Sequence, residues 1–137
     1  MTDESVREGR ERIVREHFEA ETRLDFDAAL ATFERPRYEL IGTETVHDGP
    51  DEVAQYYRQL HEAFPDQRYE IISLRHADDA VIAEFWLAGT SKGSQESVGR
   101  AFKARMMAFF ILRRRRPRLR ARLLRRRHHR TPSLWLV

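Results

Sequence analysis

The sequence predicts an α+β fold in which helices precede a mostly antiparallel sheet. Three observations carry this reading. Apolar residues recur with the 3.6-residue helical period over residues 5–23, 26–33 and 51–64. From residue 68 onward the period shortens to two, in three stretches divided by turn sequences. Those stretches follow one another with no helix between them, so they form a meander with the helices covering one face.

Each element has its own local cause. Ser5 to Arg23 places Val6, Ile13, Val14 and Phe18, and loosely Arg10, on one face, with Glu and Arg filling the other. Asp3 or Ser5 is positioned to cap its start, and acids crowd the first turn, as the helix dipole favours. Asp25 caps a short second helix, Phe26–Phe33, which Pro36 ends. Arg37–Ile41 alternates as a short strand, and Thr43–His47 returns before the His47-Asp48-Gly49-Pro50 turn. Pro50 suits the first position of a third helix, Asp51 to Phe64, with Val53, Tyr56, Tyr57, Leu60 and Phe64 on one face and Pro65 as its stop. Arg68–His76, Ala80–Thr90 and Arg100–Leu112 are the three longer strands, joined by Asp78-Asp79 and by the Gly/Ser-rich loop Ser91–Gly99. The expected order is α–α–β–β–α–β–β–β.

At 137 residues the chain suits one domain, long enough to bury a core without disulfides or a structural metal. The absence of cysteine excludes thiolate zinc sites, iron–sulfur clusters and a cysteine nucleophile. No pair of histidines has metal-ligand spacing, so no metal is expected. No long apolar run and no secretory n-region occur, so a cytoplasmic location with no membrane partner is expected.

The net charge of +3 averages two unlike pieces. Residues 1–112 carry 14 bases and all 22 acids, a net of −8, whereas residues 113–137 carry 11 arginines and no acid. The domain boundary is therefore set at Leu112, with an Arg-rich tail after it. Three readings of the tail stay open. It is a basic arm for nucleic acid, an unstructured natural extension, or the product of a shifted reading frame. Against the arm, the tail has no Lys and no aromatic residue before Trp135, so nucleic acid is not an expected partner. For the shifted frame, the degenerate codons of residues 113–129 read one base over can encode DDDGRVCERVYFDAATI. That string is a turn, an alternating strand and a helix start, which is what the meander lacks. On this reading the chain as translated leaves an apolar strand edge open and is expected to be poorly stable or to aggregate. His128 and His129 fall in the same suspect stretch.

Residues 11–112 resemble a SnoaL-like polyketide cyclase domain of the nuclear transport factor 2-like superfamily. The stretches that carry the resemblance are HFEAETRLDFDAALATF, RYELIGTETVHDGPDEVAQYYRQLHEAFPD and ADDAVIAEFWLAGTSKG. The resemblance implies a cone-shaped barrel, a bent sheet wrapped around the first helix and closed by the third, with an apolar small-molecule pocket at its opening. It also implies a homodimer packed through the outer sheet face. Fold does not choose among the cyclases, isomerases, hydrolases and non-catalytic members of such a family.

Cyclase or isomerase chemistry requires a carboxylate or His in an apolar cavity, with a hydroxyl donor opposite. Glu84 within AVIAEFWLAG and His47 beside Asp48 are the candidate acid–base residues. Phe18, Tyr38, Tyr57, Trp86, Met106 and Phe110 are the candidate pocket wall, and Tyr56 and Tyr69 are further hydroxyl donors. A solvated face for Glu84, a surface turn for His47 and core filling for each aromatic are the alternatives. Relatives often carry GTH where this chain has Gly89-Thr90-Ser91, and Glu34-Arg35-Pro36 stands where steroid isomerases carry Asp. The expected activity is a cofactor-independent acid–base cyclase or isomerase. A hydrophobic-metabolite-binding module of the same fold is the alternative, and nucleic-acid binding through the tail is the third.

Overall fold

A computed structural model describes residues 3–93 and 99–112, together with the strand backbones of 119–120 and 135–136. Helix α1 spans Glu4–Thr22, α2 Phe26–Ala31 and α3 Pro50–Ala63. The strands are β1 Phe33–Arg35, β2 Arg37–Leu40, β3 Thr45–Asp48, β4 Arg68–Ala77, β5 Ala80–Thr90 and β6 Ala101–Ile111, followed by two short pieces, β7 (Leu119–Arg120) and β8 (Trp135–Leu136). The rest of the tail, and with it the arm, extension and shifted-frame readings, lies outside the described residues.

The caps are as local chemistry dictates. Asp3, not Ser5, caps α1, its carboxylate accepting from the Ser5 amide at 3.2 Å. Asp25 does the same for α2 through the Ala28 amide at 3.1 Å. At the start of α3, Gly49 holds φ at 97°, a conformation that costs an L-residue strain, and Pro50 follows as the first helical residue. The second helix stops at Ala31, two residues short of the sequence expectation. Phe33 is drawn instead into an extended segment, where its ring packs edge-on to His17 at 5.0 Å and Tyr38 at 5.6 Å. Residues Ile41–Thr43 form a single 3₁₀ turn that joins β2 to β3.

Strands β4, β5 and β6 form an antiparallel sheet in that order. Register places Val81 opposite Phe110, Ala83 opposite Ala108 and Phe85 opposite Met106. This row faces α1 and forms the core with Val14 and Phe18. A bulge between Ile71 and Ser73 lets Ile71 pair with Phe85 on the inner face and Ser73 with Glu84 on the outer one. The β2–β3 hairpin pairs Tyr38 with His47, and β8 adds to β2 in parallel. Among the described residues no helix is long and apolar enough to cross a membrane.

The stripe of α1 that faces inward is Arg10, Val14, His17 and Glu21, all buried. Three of these four are polar, so each requires a partner. Arg10 donates to the Asp78 carbonyl at 2.9 Å and thereby ties α1 to the β4–β5 turn. His17 and Glu21 build the site described next.

Candidate functional site

Helix α1 presents His17 and Glu21 one turn apart, so both side chains reach the same interior space. Tyr38 arrives there from β2 and Tyr57 from α3, both essentially fully buried. The Tyr38 hydroxyl donates to Glu21 Oε1 at 2.6 Å and lies 2.6 Å from the Tyr57 hydroxyl. His17 Nε2 lies 2.9 Å from the Tyr38 oxygen and 3.1 Å from Glu21 Oε1, and Nδ1 lies 2.8 Å from Thr32 Oγ1. The rings of Phe33 and Phe110 stand edge-on to the imidazole, at 5.0 and 5.6 Å.

Counting protons assigns the direction of these bonds. Thr32 has one hydroxyl proton and donates it to the Ala29 carbonyl at 2.6 Å, so it accepts from His17 Nδ1. Tyr38 gives its proton to Glu21 and therefore accepts from Tyr57. His17 Nε2 then meets two oxygens that offer lone pairs, Glu21 Oε1 and the Tyr38 oxygen. Every contact is donor to acceptor when Nε2 also carries a proton, and in that form His17 and Glu21 are a buried ion pair.

The carboxyl of Glu21 reflects this. Burial pushes its pKa up, but the charge and hydrogen bond of His17 and the hydroxyls of Tyr38 and Tyr69 outweigh it, leaving it below the usual 4.5. The tyrosines move the other way. Burial first, and then the negative charge of Glu21, holds Tyr38, Tyr57 and Tyr69 well above the usual 10.0, so they stay protonated donors. Tyr56 is raised for the same two reasons.

Beside this cluster, between α1 and β4, lies an open cavity of about 500 Å³ lined by Arg15, Phe18, Glu19, Thr22, Arg23, Tyr69 and Ile71. That volume is in the range of small-molecule sites. Tyr69 joins the two regions: it lines the cavity, and its hydroxyl lies near enough to the Glu21 carboxylate to help hold that group ionised. Gln67 Nε2 also reaches that hydroxyl at 3.5 Å, while its buried Oε1 has no partner.

The residues singled out from sequence separate into two groups. Phe18 lines the cavity, Tyr38 and Tyr57 belong to the buried cluster, Phe110 is core and Met106 packs against the core from the inner sheet face. Glu84 and Trp86 lie on the other face of the sheet. Glu84 pairs with Arg105 and accepts from Ser73 at 3.2 Å, and Lys103 sits 4.7 Å over the Trp86 ring. Their parity along β5 was legible, but Val81, Ala83 and Phe85 take the inward side, which turns Glu84 and Trp86 away from the interior. His47 stacks on Tyr56 at 4.4 Å, one ring removed from Tyr38. Sequence reasoning singled out neither Glu21 nor His17 as a site residue. The available signal was the spacing 10, 14, 17, 21, which sets two ionisable residues four apart on the buried stripe.

With this geometry in view, the comparisons with known proteins are informative. Residues 14–116 match the SnoaL-like domain, and the chain belongs to that family. Solved structures share the fold at low identity. A protein assigned as a SnoaL-like polyketide cyclase from Jannaschia sp. CCS1 superposes with a TM-score of 0.73 at 13% identity, over 94% of this chain and 84% of that one. One assigned as a polyketide cyclase from Xanthomonas campestris pv. campestris gives 0.70 at 19% identity, over 95% and 91%. A protein with a ketosteroid isomerase-like fold from Catenulispora acidiphila, solved with trimethylamine, gives 0.68 at 16% identity, over 100% and 86%. No curated protein matches the chain. The fold is thus the α+β nuclear transport factor 2-like one.

Proposed function

We propose that this SnoaL-like domain binds a small, largely apolar carbonyl compound in the α1–β4 cavity and moves a proton on it without a cofactor, as a cyclase or isomerase does. The observation that carries this reading is Tyr69, which lines the cavity while its hydroxyl helps hold the buried carboxylate of Glu21 ionised. Glu21 stands behind Tyr69 and outside the cavity lining, so it is the base for a ligand that inserts past the Tyr69 ring: it takes a proton from the carbon next to the ligand carbonyl and returns it to the product. The Tyr69 hydroxyl, held protonated, donates to the enolate oxygen that forms. In the resting site Glu21 is a weak base, because several donors hold it ionised. When the ligand oxygen takes the Tyr69 hydroxyl as its donor, Glu21 loses one of the groups that hold it ionised and its basicity rises. His47 and Glu84, both outside this cluster, are assigned no part in the step.

A second reading has its own observation. Glu21 is fully paired with His17 and Tyr38, an arrangement that equally suits a binding module with no chemistry. Proton exchange separates the two. In D₂O the full chain is expected to accelerate deuteration of the α-carbon of ethyl benzoylacetate, followed by NMR, and Glu21→Gln is expected to abolish the acceleration. Exchange at the uncatalysed rate with the unsubstituted protein supports the binding module instead.

We also infer that a second copy of the chain packs on the outer sheet face. Ile72 and Met107 are 42% and 38% exposed there, beside Trp86, more apolar surface than a solvated strand face needs.

A further inference from the structure

We propose that the α1–β4 cavity selects ligands bearing an anionic group beside their apolar body. This rests on the cavity being the ligand site argued above, and names the class of ligand it takes. The floor is apolar: Phe18 and Tyr69 meet with ring centroids 5.2 Å apart, and Ile71 extends the surface along β4. The rim is polar and belongs to one helix. Arg15, Glu19 and Arg23 follow at four-residue spacing, so the Cα atoms of the two arginines stand about 12 Å apart along the helix axis, with Glu19 midway.

Among the described residues neither Arg15 nor Arg23 is held in an ion pair with an acid. The acid one turn before Arg15, Glu11, is taken by His76 Nε2 at 2.8 Å, leaving Glu19 as the acid beside Arg15 within the cavity. An anion cannot settle at the middle of the rim, next to Glu19, and is directed to an end. At the Arg23 end it would meet the negative end of the helix dipole. Arg15, in the body of the helix, has no such opposition. It is therefore the main anchor for a carboxylate or sulfonate, while the ring system lies over Phe18, Tyr69 and Ile71.

Two probes that share one skeleton test this. 8-Anilinonaphthalene-1-sulfonate carries the anion, and N-phenyl-1-naphthylamine is the same diarylamine without it. Fluorescence titration of the full chain at low salt is expected to show the sulfonate binding about five- to tenfold more tightly, as one partly solvated ion pair supplies. Arg15→Gln is expected to remove most of that preference and Arg15→Gln with Arg23→Gln all of it, with the neutral probe unaffected. Both sites are exposed, so the variants keep the fold. Equal affinities for the two probes overturn the anion preference while leaving the cavity as the ligand site. Sulfonate binding that survives the double substitution also overturns it, since the anion then binds elsewhere, the Arg-rich tail included. Failure of both probes to bind, with Ile71→Glu changing nothing, removes the cavity as a ligand site and the preference with it.

Discussion

Glu21→Gln is the substitution on which the description of the interior depends most. It keeps the size and shape of the side chain but removes the charge. In the native site the carboxylate accepts from Tyr38 at 2.6 Å and faces His17 Nε2 at 3.1 Å. A glutamine amide keeps one acceptor oxygen and turns an NH₂ group toward a site already filled with donors. When His17 carries both ring protons, the substitution also removes its counter-charge. Breaking one side of a buried ion pair typically costs about 3–5 kcal/mol. The amide oxygen recovers one neutral hydrogen bond, worth about 1 kcal/mol, so a loss of about 2–4 kcal/mol is expected near pH 7. For a chain of this size that corresponds to a fall of roughly 10 °C in Tm.

The sign of the pH dependence follows from the depressed pKa of Glu21. Its folded value lies below the usual 4.5, so its contribution is present in full above 4.5 and is lost as the pH falls through the folded value. The gap between wild type and Glu21→Gln should therefore be widest at neutral pH and narrow on acidification. Urea unfolding followed by circular dichroism at pH 7 and near pH 3.5 measures it. A gap under about 0.5 kcal/mol at neutral pH, the scale of an ordinary surface change, or a gap that widens in acid, would refute the buried-pair assignment.

The other predictions concern the parts of the fold that hold this cluster in place. Phe85→Ala removes a ring that contacts Phe18 at 4.8 Å and Tyr69 at 5.7 Å, and is expected to lower stability by about 3–5 kcal/mol in the same urea assay. Gly89→Ala would set a methyl 3.2 Å from both the Gln67 Cα and Asp66 Oδ1, and is expected to cost about 1–3 kcal/mol as the α3–β4 connection gives way. Glu84→Gln and His47→Gln, which lie outside the Glu21 cluster, should leave α-proton exchange within about twofold of wild type; loss of exchange on Glu84→Gln would return that residue to the site. Met107→Asp on the outer sheet face should halve the mass seen by sedimentation equilibrium, and an unchanged mass would remove that face as the interface.

Some of this was legible before any tertiary contact was known. The helical periods of residues 5–23 and 51–64 and the three long strands correspond to α1, α3, β4, β5 and β6 with shifts of a residue or so at the ends. Those segments are long and strongly patterned, so their own apolar faces determine their type. The short segments were decided by their neighbours. Phe33 reads as the end of a helix, yet the aromatic space between His17 and Tyr38 is worth more to it than one more helical turn.

The site shows the same division. Alternation along Ala80–Thr90 placed Glu84 and Trp86 on one side and Val81, Ala83 and Phe85 on the other, but both sides carry apolar residues, so the sequence did not say which faced α1. Packing answered that: the smaller, uncharged row fits against the helix, and the acid goes to the outer face to meet Arg105. A His and a Glu four apart on a helix are, from sequence alone, as well suited to solvent as to the interior. What made His17 and Glu21 a buried pair was the arrival of Tyr38 and Tyr57 from two elements 17 to 40 positions further along the chain, bringing the hydroxyls without which burial would be too costly. Periodicity belongs to a segment and can be read from it. Satisfaction of a buried charge belongs to several segments at once, and only the tertiary structure assembles them.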